Sequence, residues 1–174
     1  MTAPPPPSPA RRLTTPAAIA LGSNLGDRDA HLRRALAAVQ DLPGIDALRV
    51  SGFYETDPVG PQDQGRFLNA AAVFATSLPP AELLTELLDI ERRLGRPARE
   101  DRTHWGPREI DLDLLLYGDQ LIDRPGLTLP HPRLHERWFV LQPLADVAAD
   151  WVHPGRGQTI AQLLAALPQE AHHG

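Results

Sequence analysis

The feature that most constrains the fold is the order in which two hydrophobic periodicities follow one another along the chain. Alternation with a period of two is typical of strands, and spacings of three and four residues are typical of helices. Strand-like segments lie at residues 17–24, 47–57, 66–78 and 110–117, and helix-like segments begin near Asp27 and at Pro80. The order β-α-β-β-α-β predicts an α+β, ferredoxin-like antiparallel sheet with helices on one face and a C-terminal extension. We expect the opposite face to be free to form a site.

Local signals support both helices. The first has Asp27 and Asp29 at its start, and its apolar residues recur at helical spacing: Leu32, Ala35, Leu36 and Val39. The second starts at Pro80, and Gly95 is its expected end. Its apolar side is formed by Leu83, Leu87, Ile90 and Leu94.

The ends of the chain differ in composition from its centre. Residues 1–16, "MTAPPPPSPARRLTTP", are rich in proline and poor in large apolar residues, which predicts a disordered tail. Residues 169–174 are expected to be a frayed tail. A chain of 174 residues is short for two domains, so we expect a single domain over residues 17–168.

Charge and composition exclude several classes of function. The net charge of −5 argues against broad binding of nucleic acids or acidic membranes. The chain has no cysteine, so disulfides and thiolate chemistry are excluded. The sequence shows neither an apolar run that could span a bilayer nor a signal pattern. We expect a soluble, cytoplasmic monomer.

The stretch "WGPREIDLDLLLYGD", residues 105–119, carries an unusual pair of charges. A period of two puts Asp111 and Asp113 on one side of a strand, followed there by Leu115 and Tyr117. The other side is apolar and consists of Ile110, Leu112, Leu114 and Leu116. Two carboxylates on neighbouring positions of one face lie roughly 6–7 Å apart and repel each other. Arginines or Mg²⁺ could offset that repulsion.

The neighbouring residues favour a site for phosphate chemistry. The segment before the two aspartates is rich in arginine, with Arg96, Arg99, Arg102 and Arg108. Carboxylates that hold metal beside arginines that hold anions form the arrangement that phosphoryl transfer requires. A solvated strand with structural ion pairs is the alternative for the aspartates alone.

Two other motifs are weaker. "GSNLGDR" lacks the Walker lysine and is better explained as a turn between strand and helix. The 7 histidines show no zinc-binding spacing, and His131, between two prolines, is the one that stands out.

Four segments, in order, carry a resemblance to a known family: "ALGSNLGDR", "FYETDPVGPQDQGRFLNAA", "LGR…WGPREIDLDLLLYGD" and "LPHPRLHERWFVLQPL". With these motifs the chain resembles the 6-hydroxymethyl-7,8-dihydropterin pyrophosphokinases. The resemblance implies an ATP-dependent diphosphotransferase of folate biosynthesis, which transfers pyrophosphate from ATP to the pterin alcohol and releases AMP.

The resemblance also implies roles for particular residues. Asp111 and Asp113 would bridge two Mg²⁺ ions, and Trp105 would belong to a loop that closes over the substrates. The implied pterin contacts are Thr56, Val59, Phe67, Asn69, Trp105 and Phe139. The alternation of residues 66–78 predicts that Phe67 and Asn69 project from one face of a strand, together with Ala71 and Val73. The implied ATP contacts are Glu91, Arg96, Arg108, Leu114, Thr128, His131 and Arg137. The implied catalytic residues are Arg96, Arg108, Asp111, Asp113, His131 and Arg137.

Two other functions compete with this one. A ferredoxin-like domain can sense a ligand without chemistry, and an ordinary kinase would transfer the γ-phosphate and release ADP. The residues alone do not distinguish attack at the β-phosphorus from attack at the γ-phosphorus; only the resemblance does.

Overall fold

The computed structural model describes residues 13–58, 63–96 and 108–168. The strands are β1 (Thr15–Ser23), β2 (Ile45–Val50), β3 (Tyr54–Thr56), β4 (Phe67–Thr76), β5 (Asp111–Tyr117), β6 (Ile122–Arg124), β7 (Leu127–Leu129), β8 (Val152–His153) and β9 (Gln158–Thr159). The helices are α1 (Arg28–Gln40), α2 (Pro80–Arg93), α3 (Trp138–Ala148) and α4 (Ile160–Ala165). In the described part of the chain, no helix is both long and apolar enough to cross a membrane.

The main sheet is antiparallel, with the strand order β2-β4-β1-β5 and β3 paired to β4 beside β2. The remaining strands form two separate two-stranded hairpins, β6–β7 and β8–β9. The predicted α+β class with an antiparallel sheet is confirmed. The narrower ferredoxin-like assignment stays a prediction, because the second strand is divided into β2 and β3 and two more helices follow β5.

The first strand begins earlier than predicted. Thr15 and Pro16, placed in the tail by composition, pair with Thr76 and Ala75 of β4. The predicted tails are otherwise largely outside the described residues.

The helix ends follow local rules. Asp27 caps α1 by accepting a hydrogen bond from the backbone N–H of Ala30 at 3.0 Å. Pro80 occupies the first turn of α2, where a missing N–H costs nothing. Gly95 follows α2 with a φ of 102°, a left-handed conformation that favours glycine.

Two apolar cores lie on opposite faces of the sheet. α1 and α2 cover one face, where Leu32, Leu83 and Leu87 pack on Ala70 and Ala72 of β4.

The C-terminal extension, whose position the sequence pattern does not indicate, packs on the other face of the sheet. Its apolar contacts there come from Val140, Leu141 and Leu144 of α3 and Ile160 of α4, against Ala18, Ala71 and Val73. The face expected to be free is therefore partly covered.

The alternation of β5 changes side within the strand. Leu112 and Leu114 face the α1–α2 core, as predicted, but Leu116 lies in the core beneath α3. A register shift in the pairing with β1 leaves Leu115 without a partner between Leu114 and Leu116. The prediction that Leu116 shares the face of Leu112, and that Tyr117 shares the face of the aspartates, is therefore wrong.

Candidate active site

A row of paired residues crosses three strands at one end of the sheet. Gly22 of β1 lies opposite Asn69 of β4 on one side and Asp111 of β5 on the other. Directly paired residues project from the same face, and Asp113 follows two positions later, opposite Ala20. This face is the one that α3 covers further along, so both aspartates lie on its open end.

Asp111 is paired with two arginines. Nη1 of Arg108 donates to Oδ2 of Asp111 at 2.7 Å, and Arg96 pairs with Oδ1. Burial by itself would raise the pKa of Asp111, but the charges of Arg96 and Arg108 lower it below its ordinary value. Asp111 is therefore ionised at neutral pH.

Asp113 is in the opposite situation. It is half-buried and, within the described residues, accepts no hydrogen bond and forms no ion pair. Burial, with the negative charges of Asp111 and Glu91, raises the pKa of Asp113 to about 7. A partly buried carboxylate without a donor among the described residues is a candidate ligand for a cation.

Glu91, at the end of α2, links the helix to the edge of the sheet. Its buried Oε1 accepts from the backbone N–H of Leu112 at 2.7 Å and from Nη1 of Arg96 at 2.8 Å. Because β5 is an edge strand, the Leu112 N–H that points away from β1 has no strand partner. The sequence resemblance implies that Glu91 contacts ATP. In the structure Glu91 also joins α2 to the edge of β5 through its hydrogen bond with Leu112.

Asn24 is a site residue that the sequence interpretation missed. Its Oδ1 accepts from the backbone N–H of Arg108 at 2.7 Å, and its own N–H donates to the Arg108 carbonyl at 3.0 Å. Its Nδ2 donates to Oε1 of Gln64 at 3.2 Å. The available signal was a buried asparagine directly after a strand in "GSN", which the turn interpretation left without a role.

His131 and Arg137 approach the aspartates from the segment before α3. The backbone N–H of His131 donates to the Leu115 carbonyl at 2.9 Å, so this segment lies along the free edge of β5. Burial and the charge of Arg137 lower the pKa of His131 below its ordinary value, so its imidazole is largely neutral at neutral pH. Arg137 is close enough to Asp113 to oppose the rise in its pKa.

The other two predicted ATP contacts, Leu114 and Thr128, lie on β5 and β7, two strands that contact each other. Leu114 has its side chain in the α1–α2 core, on the opposite face from the aspartates. An ATP contact from Leu114 on the aspartate face is therefore restricted to its main chain. Thr128 is exposed on β7, opposite Asp123 of the β6–β7 hairpin.

The predicted pterin residues on β3, β4 and α3 lie on the same face. Alternation along β4 puts Phe67 and Asn69 on the side of Ala71 and Val73, as predicted. Nδ2 of the buried Asn69 donates to Oγ1 of Thr56 at 2.7 Å. Phe139, in the first turn of α3, is half-buried on this side too, and the guanidinium of Arg137 lies 5.6 Å from its ring centre.

Gly22 leaves room between these groups. A Cβ built on Gly22 would lie 3.2 Å from Oδ1 of Asn69 and 3.8 Å from the ring of Phe67. A side chain at this position would crowd the amide and the aromatic face. The remaining predicted contacts, Val59 and Trp105, and the loop arginines Arg99 and Arg102 lie outside the described residues.

The donor set fits Mg²⁺ better than zinc. In residues 13–58, 63–96 and 108–168 there is no group of three or more His, Cys, Asp and Glu side chains that could hold a metal. Two carboxylates supply only part of an octahedral shell, and Mg²⁺ commonly completes it with substrate phosphates and water.

Comparisons with known proteins agree with this chemistry. The family model described as 7,8-dihydro-6-hydroxymethylpterin-pyrophosphokinase matches residues 18–149. A 2-amino-4-hydroxy-6-hydroxymethyldihydropteridine pyrophosphokinase of Bacillus subtilis strain 168 is 51% identical over 129 residues, covering 74% of this chain and 75% of its own. The Pseudomonas aeruginosa protein of the same name is 47% identical over 152 residues, covering 87% of this chain and 91% of its own.

The fold is also found in solved structures. A triple mutant of Plasmodium falciparum HPPK-DHPS superposes with a TM-score of 0.70 at 17% identity. The match covers 90% of this chain but 44% of the Plasmodium chain, so this chain is similar to one part of a longer protein. At this identity the likeness shows the fold alone.

Proposed function

The chain belongs to the 7,8-dihydro-6-hydroxymethylpterin-pyrophosphokinase family, and from this we infer that it transfers pyrophosphate from ATP to the hydroxymethyl group of the dihydropterin in folate synthesis. The observation that carries this function is the pair of carboxylates on β5 surrounded by Arg96, Arg108 and Arg137. A ligand-sensing module would not require that arrangement. The names of the curated relatives do not favour a kinase that transfers the γ-phosphate.

We assign Asp111 and Asp113 to Mg²⁺, with two ions shared between them. The support is the face that the two carboxylates share and the lack of a described donor at Asp113. Bound Mg²⁺ supplies positive charge to the phosphate oxygens of ATP and fixes their position. The protein's part is to hold two carboxylates ready on one rigid strand.

The arginines supply the other positive charges. Arg96 and Arg108 already lie against Asp111, and Arg137 lies near Asp113. When the triphosphate binds, their N–H groups can donate to its oxygens and stabilise the charge that develops on the leaving AMP. His131, neutral and fixed by its backbone bond to Leu115, can donate one N–H without adding charge.

The pterin fits the open end of the same face. Because Asn69 gives its Nδ2 to Thr56, its Oδ1 stays available above Gly22 to accept from a ring N–H. Phe67 and Phe139 provide flat apolar surfaces for a planar ring. We propose that a pterin bound there directs its hydroxymethyl oxygen towards the aspartates.

The reaction forms one bond and breaks one. The hydroxymethyl oxygen attacks the β-phosphorus of ATP and releases its proton to solvent, and the bond from the β-phosphorus to the oxygen that stays on the α-phosphate breaks. AMP leaves with that electron pair. Positioning and charge are the main contributions of the protein, as in other phosphoryl transfers.

The identity of the nucleotide product tests this function. The chain is incubated with Mg²⁺, ATP and 6-hydroxymethyl-7,8-dihydropterin, and the nucleotides are separated by chromatography. We expect AMP in equal amounts with the pterin diphosphate. Release of ADP would identify a γ-phosphate kinase, and the absence of any nucleotide product would support a ligand-sensing module.

A further inference from the structure

A cavity lies beyond His131, on the side of the β8–β9 hairpin. Its volume is about 470 Å³, within the range of small-molecule sites. Its polar walls come from the segment before α3 and from the hairpin: His131, His135, His153, Arg156 and Gln158. Of these residues only His131 has a part in the function proposed above.

The walls favour an anion. They carry one guanidinium, three imidazoles and an amide, and in the described part of the chain they include no carboxylate. The nearest acidic partner of a wall residue is Glu136, 3.5 Å from Nε2 of His135, and Glu136 also accepts from Arg133 at 3.3 Å. The lining is therefore rich in hydrogen-bond donors and has no negative charge of its own.

His153 shows that a partner is missing. The residue is only 7% exposed, and its buried Nδ1 has no hydrogen-bond partner among the described residues. A Cβ built on Gly155, another wall residue, would lie 3.6 Å from this Nδ1, so this edge of the His153 ring packs directly behind the cavity wall that Gly155 forms. A buried polar atom without a protein partner costs free energy unless a water, an ion or a ligand supplies the hydrogen bond.

The hairpin turn brings a cation to the same place. The N–H groups of Arg156 and Gly157 both donate to the His153 carbonyl, at 3.0 and 2.9 Å. This tight turn holds Arg156 beside His153, while the His135 ring packs edge to face on His153 at 6.3 Å. The fold therefore fixes two imidazoles and one arginine around one space.

We propose that this cavity binds a phosphate group, either as the free anion or as part of a small organic phosphate. Arg156 donates to the phosphate oxygens, and His135 and His153 add N–H donors. The volume exceeds that of a bare phosphate, so the carrier of an organic phosphate also has room. The cavity shares His131 with the proposed ATP site, but its other polar walls, and above all Arg156, lie outside that site, and it uses neither Asp111 nor Asp113.

Calorimetric titration tests the proposal on the full chain. The protein is first saturated with Mg²⁺ and an unreactive ATP analogue, which occupies the ATP site, and is then titrated with inorganic phosphate or with ribose 5-phosphate. We expect saturable binding of at least one of them at one site. Tighter binding of ribose 5-phosphate would identify an organic phosphate as the ligand, and equal binding would show that the phosphate group alone is recognised. The absence of saturable binding of both would overturn the proposal.

Two variants locate the binding. Arg156→Gln should weaken phosphate binding by about tenfold or more, because a charge-assisted contact is lost. Arg34→Gln is the matched control, an exposed arginine on α1 across the sheet, and should bind phosphate normally. Equal affinity in the two variants would contradict the assignment to this cavity.

His153→Phe separates ligand binding from a structural role. Phenylalanine keeps the ring and removes both nitrogens, so phosphate binding should fall while the melting temperature stays equal or rises. Unchanged phosphate binding with a lower melting temperature would show that His153 is structural and would overturn its role. AMP release from ATP and the pterin is measured in parallel: if it persists while the wild type binds no phosphate here, only the second site is wrong.

Discussion

Asp111 and Asp113 are equivalent in the sequence pattern but not in the structure. Asp111 is neutralised by Arg96 and Arg108, whereas Asp113 has no donor in the described residues. Repulsion between two carboxylates on one face could be predicted from the alternation of β5. The distribution of the arginines could not, because it depends on how the end of α2 meets the edge of the sheet.

This difference predicts opposite effects on stability without metal. Because the pKa of Asp113 is raised to about 7 in the folded protein, its stabilising contribution is present below its unfolded pKa and is lost as the pH rises through about 7. Asp113→Asn should therefore raise the free energy of unfolding at about pH 8 and change it little at about pH 4.

Asp111→Asn is the matched comparison. Its pKa is lowered, so its pairing stabilises the fold at every pH above its unfolded value, and the variant should be less stable at about pH 5 as well as at about pH 8. Urea unfolding in a metal chelator measures both variants. Similar losses of stability at high pH in both would show that Asp113 has a partner of its own.

The aromatic residue of α3 gives a prediction for the pterin. Phe139→Ala should weaken pterin binding at least about fivefold, since stacking contributes about 1 kcal/mol beyond burial. Mg·ATP binding should change little. Phe53→Ala is the control, because Phe53 is also half-buried but packs on the α1–α2 core. Separate titrations of the two ligands measure the effect, and equal losses of both in Phe139→Ala would place Phe139 in the core only.

At the scale of elements, the edge of β5 depends on α2. Glu91→Ala leaves the buried N–H of Leu112 without an acceptor and should destabilise the protein by about 2 kcal/mol. Glu91→Gln keeps an oxygen for that N–H and should cost less. Urea unfolding gives the stabilities, and hydrogen exchange at the Leu112 amide shows whether the bond is lost. Equal stability of the two variants would mean that the contact to Leu112 contributes nothing.

The side on which a residue lies was predictable where the pairing of its strand with the neighbouring strand has no register shift. Alternation along β4 placed Phe67 and Asn69 correctly, because β4 pairs with β1 without interruption. The same reasoning failed after Leu114, because the register shift against β1 reverses the sides of Leu116 and Tyr117. A single-chain pattern contains no information about a bulge that is set by the partner strand.

At the scale of the whole molecule, the two faces of the sheet have different tasks. α1 and α2 close one core, and α3 closes part of the other while its first turn and the preceding residue bring Phe139 and Arg137 to the open end. The sequence order predicted the sheet and the aspartate face. It did not predict where the C-terminal extension packs, because its short, proline-rich segments have no clear periodicity until they meet the sheet.

The same limit applies to Asn24, which binds the backbone of Arg108 across 84 residues of sequence. Such a contact follows from β1 and β5 being neighbours in the sheet and from no local signal. The proposed phosphate cavity likewise combines the segment before α3 with the β8–β9 hairpin, and only the tertiary fold brings these two segments together.

The central claim is that Asp111 and Asp113 together hold the Mg²⁺ on which pyrophosphate transfer depends. AMP release at saturating Mg²⁺, ATP and pterin tests it most directly, in Asp111→Asn, Asp113→Asn and the control Asp123→Asn, an exposed aspartate on β6. Loss of a metal clamp should slow turnover at least about a thousandfold in the first two variants, and the control should match the wild type. Turnover near that of the wild type in either β5 variant, with its fold intact, would contradict the account.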